Sequence, residues 1–144
     1  MTKALVIMES VHYDVMEQTQ EGQEYSSRCI GVIVANDSEI CVDYETAESE
    51  GGELSTQRLL IGQEYVKISR PGMGDEFMHF VSGKVTEYVS RTIYGDIFMN
   101  VDTKELHILR KEKETKAHIH YLLSAAGQVF TECKMELTVR ELEE

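Results

Sequence analysis

At 144 residues the chain has the length of one domain, and its formal charge of −12 excludes the usual footprint of a nucleic-acid or anionic-lipid binder. Such surfaces work through clustered cations, whereas here 26 Asp and Glu outnumber 14 Lys and Arg. The hydrophobic fraction of 42% and charged fraction of 28% are ordinary for a globular protein, so the acidic excess reads first as a solubility device.

The N-terminal apolar run Ala4–Met8 is closed by Glu9. It is shorter than the roughly 7–15 residues of a secretory core, and no segment approaches the roughly 20 of a membrane helix. A cytoplasmic location follows as the expectation. The first predicted strand, 4–15, sets Ala4, Val6, Met8 and Ser10 on one face and Leu5, Ile7 and Val11 on the other. The second, 24–35, is apolar on both faces, with Ile30, Val32 and Val34 alternating with Cys29, Gly31 and Ile33. Two neighbouring strands with outward aliphatics predict a patch that favours a homodimer or a covering segment.

Predicted strands continue over 39–46, 54–61, 64–70, 75–82, 84–92, 95–101, 105–113, 115–125 and 128–141, with turn residues between them about every ten positions. The chain's single proline, Pro71, sits in the turn Arg70-Pro71-Gly72-Met73-Gly74. Helix formers are dense over 103–117, yet Leu106, Ile108 and Arg110 alternate with Glu105, His107 and Leu109, which favours a strand. The last segment has the cleanest alternation: Val129, Thr131, Cys133, Met135, Leu137 and Val139 against Phe130, Glu132, Lys134, Glu136, Thr138 and Arg140. A wet-faced sheet this long must protect its edges, and closure into a barrel does so.

One string in the middle of the chain is specific in its order: Ile68-Ser69-Arg70-Pro71-Gly72, Met78-His79-Phe80-Val81-Ser82-Gly83, then Tyr88, Thr92 and Tyr94-Gly95-Asp96-Ile97. With Ser10-Val11, the tyrosine of Val42-Asp43-Tyr44 and the closing amphipathic strand, the chain resembles the YwiB-like family along its whole length. Those are small bacterial proteins of unknown function with a calycin-type barrel. The resemblance implies a lipocalin-like fold and a distant tie to fatty-acid-binding barrels, with no settled activity. The expected fold is therefore all-β: one antiparallel up-and-down meander barrel of about eight to ten strands.

Candidate site residues follow from residues that continue apolar faces. Arg70 extends the face of Val66 and Ile68, and Arg110 extends that of Leu106 and Ile108. A guanidinium inside a barrel needs a carboxylate partner or an anionic ligand, because an unpaired buried charge is costly. The plainer alternative is pairing at the rim with Glu112, Asp75 or Glu76. Tyr44, Tyr88 and Tyr94 suit the wall of a mixed pocket and suit a barrel core equally well. Gly95 is placed to bend the chain after Tyr94.

His118 and His120 share a face, and hairpin pairing could bring His107 alongside, but the more apolar opposite face should be the core. Exposed histidines are thus favoured over a metal site. The cysteines Cys29, Cys41 and Cys133 have neither C-x-x-C spacing nor an even count. No nucleophile elbow, phosphate loop or zinc-protease motif occurs, and neither cofactor nor metal is expected. Two functional alternatives lead: a barrel binding a small apolar or amphipathic, carboxylate-bearing ligand, and an interaction module acting through its outward aliphatic surface as a dimer. An enzyme working at the barrel mouth is the third.

Overall fold

Alternation along the chain becomes strand throughout. The computed structural model describes residues 1–15, 21–47, 54–69 and 77–143, and they contain ten strands and no helix. These are β1 (Lys3–Asp14), β2 (Gln23–Ala35), β3 (Ile40–Ala47), β4 (Leu54–Ile61), β5 (Tyr65–Ser69), β6 (Phe77–Val81), β7 (Val85–Thr92), β8 (Gly95–Arg110), β9 (Glu114–Ala125) and β10 (Gln128–Glu141). All lie in one sheet with the order β6-β5-β4-β3-β2-β1-β10-β9-β8-β7. Every pairing is antiparallel, and β10 returns to pair with β1 from Glu141 opposite Ala4 to Thr131 opposite Asp14. The expected up-and-down meander barrel is the observed fold. No helix among the described residues is long and apolar enough to cross a membrane.

Closure differs from a simple ring in one respect. The ladder is continuous where the chain ends meet, and the seam falls mid-chain, between β6 and β7. There the Thr86 hydroxyl donates to the His79 carbonyl at 2.5 Å, and Lys84 N–H donates to the Val81 carbonyl at 3.0 Å. Gly83 and Lys84 turn instead to β8: Gly83 N–H donates to Thr103 O at 2.9 Å, and Thr103 N–H to Lys84 O at 3.1 Å. The turn thus keeps its own bond, while Gly83 and Lys84 continue the β7–β8 register one step to Thr103.

A second difference lies in β8. The polar triplet Asp102-Thr103-Lys104 reads as a turn between two strands, yet β8 runs through it. The register slips between Thr103, opposite Tyr121, and Glu105, opposite His120, so Lys104 is the extra residue of a β-bulge. The slip keeps Val101 and Thr103 on the inner face before it and puts Leu106 and Ile108 there after it.

The inner face holds the core. Val6, Val42, Leu59, Val66, Phe80, Val101, Ile119, Tyr121, Cys133, Leu137 and Val139 are all buried, and Phe80 packs on Tyr121 with ring centroids 4.8 Å apart. Interior positions at this level of the barrel are filled by the chain's own side chains. Truncating a buried aromatic such as Phe80 removes about 3–5 kcal/mol of transfer and cavity energy.

Candidate functional site

The residues singled out from sequence do not converge. Tyr44 is buried, donates its hydroxyl to Gln57 Oε1 at 2.9 Å and lies 3.8 Å from Met8 Sδ. Burial raises its phenol above the usual range, which fits a core residue with a satisfied polar tip. Tyr88 is half-buried opposite Met99 and packs on the core. Tyr94 lies in the β7–β8 turn at 93% exposure, next to Gly95 with φ of 117°, the bend its position demands. Arg110 is exposed at the opposite end of β8, across from Thr115. The 16 residues of β8 span roughly 50 Å, so Tyr94 and Arg110 serve no common site. Arg70 and its turn lie outside the described residues.

Two constellations do form, one on each face of the wall. On the inner face a polar row crosses five strands: Thr103, Tyr121, Cys133, His12 and Gln23. His12 Nε2 stands 3.4 Å from Cys133 Sγ and 3.2 Å from Ser10 Oγ, and its ring meets Tyr25 edge-on at 4.9 Å. Tyr121 also hydrogen-bonds Cys133. A cysteine beside a histidine suggests a nucleophile and its base, but activation requires thiolate. Burial instead pushes the Cys133 thiol up, against a smaller opposing pull from Tyr121, and burial holds the His12 imidazole below its usual range. Both groups are kept neutral, so the pair is packed rather than poised.

On the outer face lies a groove of about 1020 Å³. It is built from consecutive residues on neighbouring strands, such as Glu9-Ser10-Val11 on β1 and His118-Ile119-His120 on β9. The middle residue of each triplet points to the core, so the flanking pairs face out and border the groove. Two outward rows result. One is His107, His118, Glu136, Glu9, Ser26; the other is Glu105, His120, Lys134, Val11, Glu24.

The outward placement of His118 and His120 follows the sequence reading, and the β8–β9 register sets His107 directly opposite His118. Each of the two has a carboxylate: His120 Nε2 is 2.9 Å from Glu132 Oε2, and His118 Nε2 is 3.9 Å from Glu136 Oε1. No group of three or more metal-ligating side chains among the described residues is arranged to hold an ion. Glu9 stands directly opposite Glu136. Like charges at directly opposed positions of an antiparallel pair are destabilising.

A third feature is the outward aliphatic face. Ile30 is 61% and Val34 70% exposed; Ile30 lies opposite Leu5, and Val34 continues through Cys41 to Leu60. Between these rows Arg58 makes a two-pronged bond to Asp43, at 2.8 and 3.0 Å.

Comparison with known proteins places this architecture. A family model described as "Domain of unknown function (DUF1934)" matches residues 10–137. The chain belongs to this family. Its fold is also similar to the crystal structure of ywiB protein from Bacillus subtilis, with a TM-score of 0.75, 18% identity, and coverage of 99% of this chain and 93% of that one. No curated protein matches the sequence. At that identity the structural likeness concerns the fold alone.

For this DUF1934 member the polar constellations escaped sequence reading for a definite reason. His12 lies at the parity of Met8 and Ser10, which marks it as inward, but its partner Cys133 is 121 positions away. The opposed carboxylates Glu9 and Glu136 are equally remote. Only the β1–β10 register brings either pair together.

Proposed function

We propose that this protein is a non-enzymatic binding barrel whose ligand is a small cationic amphipathic molecule held in the outer groove. The observation that carries the reading is Glu9 opposite Glu136 on the groove wall. Two facing carboxylates cost stability unless a cation lies between them. Glu24 and Glu105 add to the same sign, with Lys134 the one cation among the lining residues described. The groove has the volume of a small-molecule site, and Val11 gives it apolar surface. An amphipathic acid inside the barrel has less support. The inner wall is filled at the level of Phe80 and Tyr121, Arg110 stands at the far rim, and the inward histidine His12 is held neutral. Catalysis has less support as well, since the cysteine–histidine pair is not activated.

A matched pair of probes tests the charge directly: octylammonium and octanoate, followed by calorimetry at fixed salt. Octylammonium should bind, and Glu9→Gln with Glu136→Gln should weaken it by about tenfold, near 1.4 kcal/mol. The same substitutions should leave the ligand-free protein equally or more stable, because they remove a like-charge contact. Octanoate binding in preference to octylammonium would return the ligand to the barrel interior and sink the proposal.

The exposed Ile30 and Val34 favour a second reading, contact with another protein through the β1–β4 face. Val34→Lys should abolish such an association without touching octylammonium binding.

A further inference from the structure

Three of the chain's five histidines line one groove. His107, His118 and His120 border it together with Glu9, Glu24, Glu105, Glu136 and Lys134. Four carboxylates against one ammonium leave three net negative charges on the lining residues described, and three imidazolium ions would cancel them. Imidazole is the side chain whose charge ordinarily changes between pH 5 and 8, whereas carboxylates and ammonium groups ordinarily keep theirs over that range. The histidines therefore set the sign of this wall.

Register fixes which groups face each of them. His118 on β9 lies between His107 on β8 and Glu136 on β10, and Glu136 in turn faces Glu9 on β1. His118 Nε2 is 3.9 Å from Glu136 Oε1, too far for a hydrogen bond but within reach of an ion pair once the ring is charged. His120 lies between Glu105 and Lys134, with its Nε2 2.9 Å from Glu132 Oε2, and Glu24 ends that row on β2. Lys116, two places before His118 on the same face of β9, is 3.7 Å from Glu114. A proton on His118 gives Glu136 a cation from within the chain, at the very carboxylate pair that otherwise calls for a ligand. Protons on His107 and His120 add positive charge to the same two rows.

We propose that the groove is a proton-gated cation site, in which protonation of His118, with His107 and His120, expels the ligand by giving Glu136 and its neighbours positive charge of the chain's own. The proposal rests on the reading of the groove as a site for a cationic amphipathic molecule. It adds a direction: the ligand is held at neutral and alkaline pH and released in mildly acidic surroundings. Binding and protonation are then linked, and linkage is reciprocal, so a bound cation drives protons off the wall.

Calorimetric titration at about pH 8 and about pH 5.5, at fixed salt, tests the gate with octylammonium, which like a lysine side chain keeps its charge over this range. Affinity should fall by about tenfold or more at the lower pH, and circular dichroism at both values establishes that the fold is intact. The ratio should shrink in His118→Gln and fall below about threefold when His107→Gln and His120→Gln are added. Each ratio is taken within one variant, so a change in its affinity at the higher pH does not enter. Titration of the unaltered chain near pH 6.5, in buffers of different ionisation enthalpy, should show protons released on binding and needs no excursion to low pH. Equal affinity at the two pH values, a ratio unaltered by the triple substitution, or binding without proton release would each overturn the gate while leaving the groove a cation site. Absence of octylammonium binding at the higher pH would instead remove the reading of the groove, and the gate with it.

Discussion

His12 and Cys133 show how a single position is tuned by its neighbours. The imidazole is lowered by burial, and His79 is lowered too, by burial and then by Lys67. A histidine whose folded value lies below the ordinary value of about 6.5 is protonated first in the unfolded chain as pH falls. Stability should therefore be flat above neutrality and decline as pH drops below about 6.5, until the folded values are reached and the slope vanishes. Urea unfolding at pH 7, 6 and 5 measures the decline, and His12→Asn should make it shallower. An unchanged slope in both His12→Asn and His79→Asn would show that neither histidine carries it. The inward parity of His12 was legible from Met8 and Ser10, whereas its thiol neighbour was not, because that contact belongs to the pairing of the first and last strands.

Strands were the most legible level. From Thr131 to Val139 the segment alternates because one face is wet, and Cys133, Leu137 and Val139 are buried as the alternation requires; the expected continuation back to Val129 is interrupted by a register shift at Phe130. Two elements were misread or ambiguous for physical reasons. Asp102-Thr103-Lys104 has turn composition, but a bulge also tolerates an extra polar residue, and local chemistry does not separate a bulge from a turn.

In β2 both faces are apolar, so parity alone gives no inward side. The choice is made by Gly31, whose missing Cβ leaves room for β3: an added Cβ would come within 2.4 Å of the Asp43 carbonyl oxygen and 2.9 Å of Tyr44 Cβ. Gly31→Ala should therefore lower stability by about 1–3 kcal/mol, read as a shift of the urea midpoint at constant slope. A neutral Gly31→Ala would mean that the β2–β3 spacing relaxes freely and that Tyr44 is not locked by it.

At the scale of the whole molecule, charge and closure set the behaviour. A net charge of −12 on a domain of this size repels itself, and that repulsion weakens as salt shortens the screening length from about 30 Å at 0.01 M to about 10 Å at 0.1 M. The thermal midpoint should rise over that range. A falling midpoint would show that attractive pairs such as Arg58–Asp43 and Arg140–Glu114 outweigh the global repulsion. The sheet order adds the second global property. Sequential hairpins and the β1–β10 ladder account for nine neighbour contacts, and the tenth, β6 to β7, is left as a seam. Closure by a barrel was foreseeable from the length of the wet-faced sheet; the location of the seam was not, since Ser82-Gly83 reads as a hairpin turn like the others.

The sequence by itself determined the class of fold, the one wet face of most strands, and the outward placement of His107, His118 and His120. These are properties of period-two patterning, which every strand carries locally. The tertiary structure alone decided which polar groups meet. It set Cys133 beside His12 and neutralised both by burial, brought Glu9 against Glu136, and separated Tyr94 from Arg110 by the length of β8. Register between strands distant in the chain fixes such meetings, and no local pattern records it.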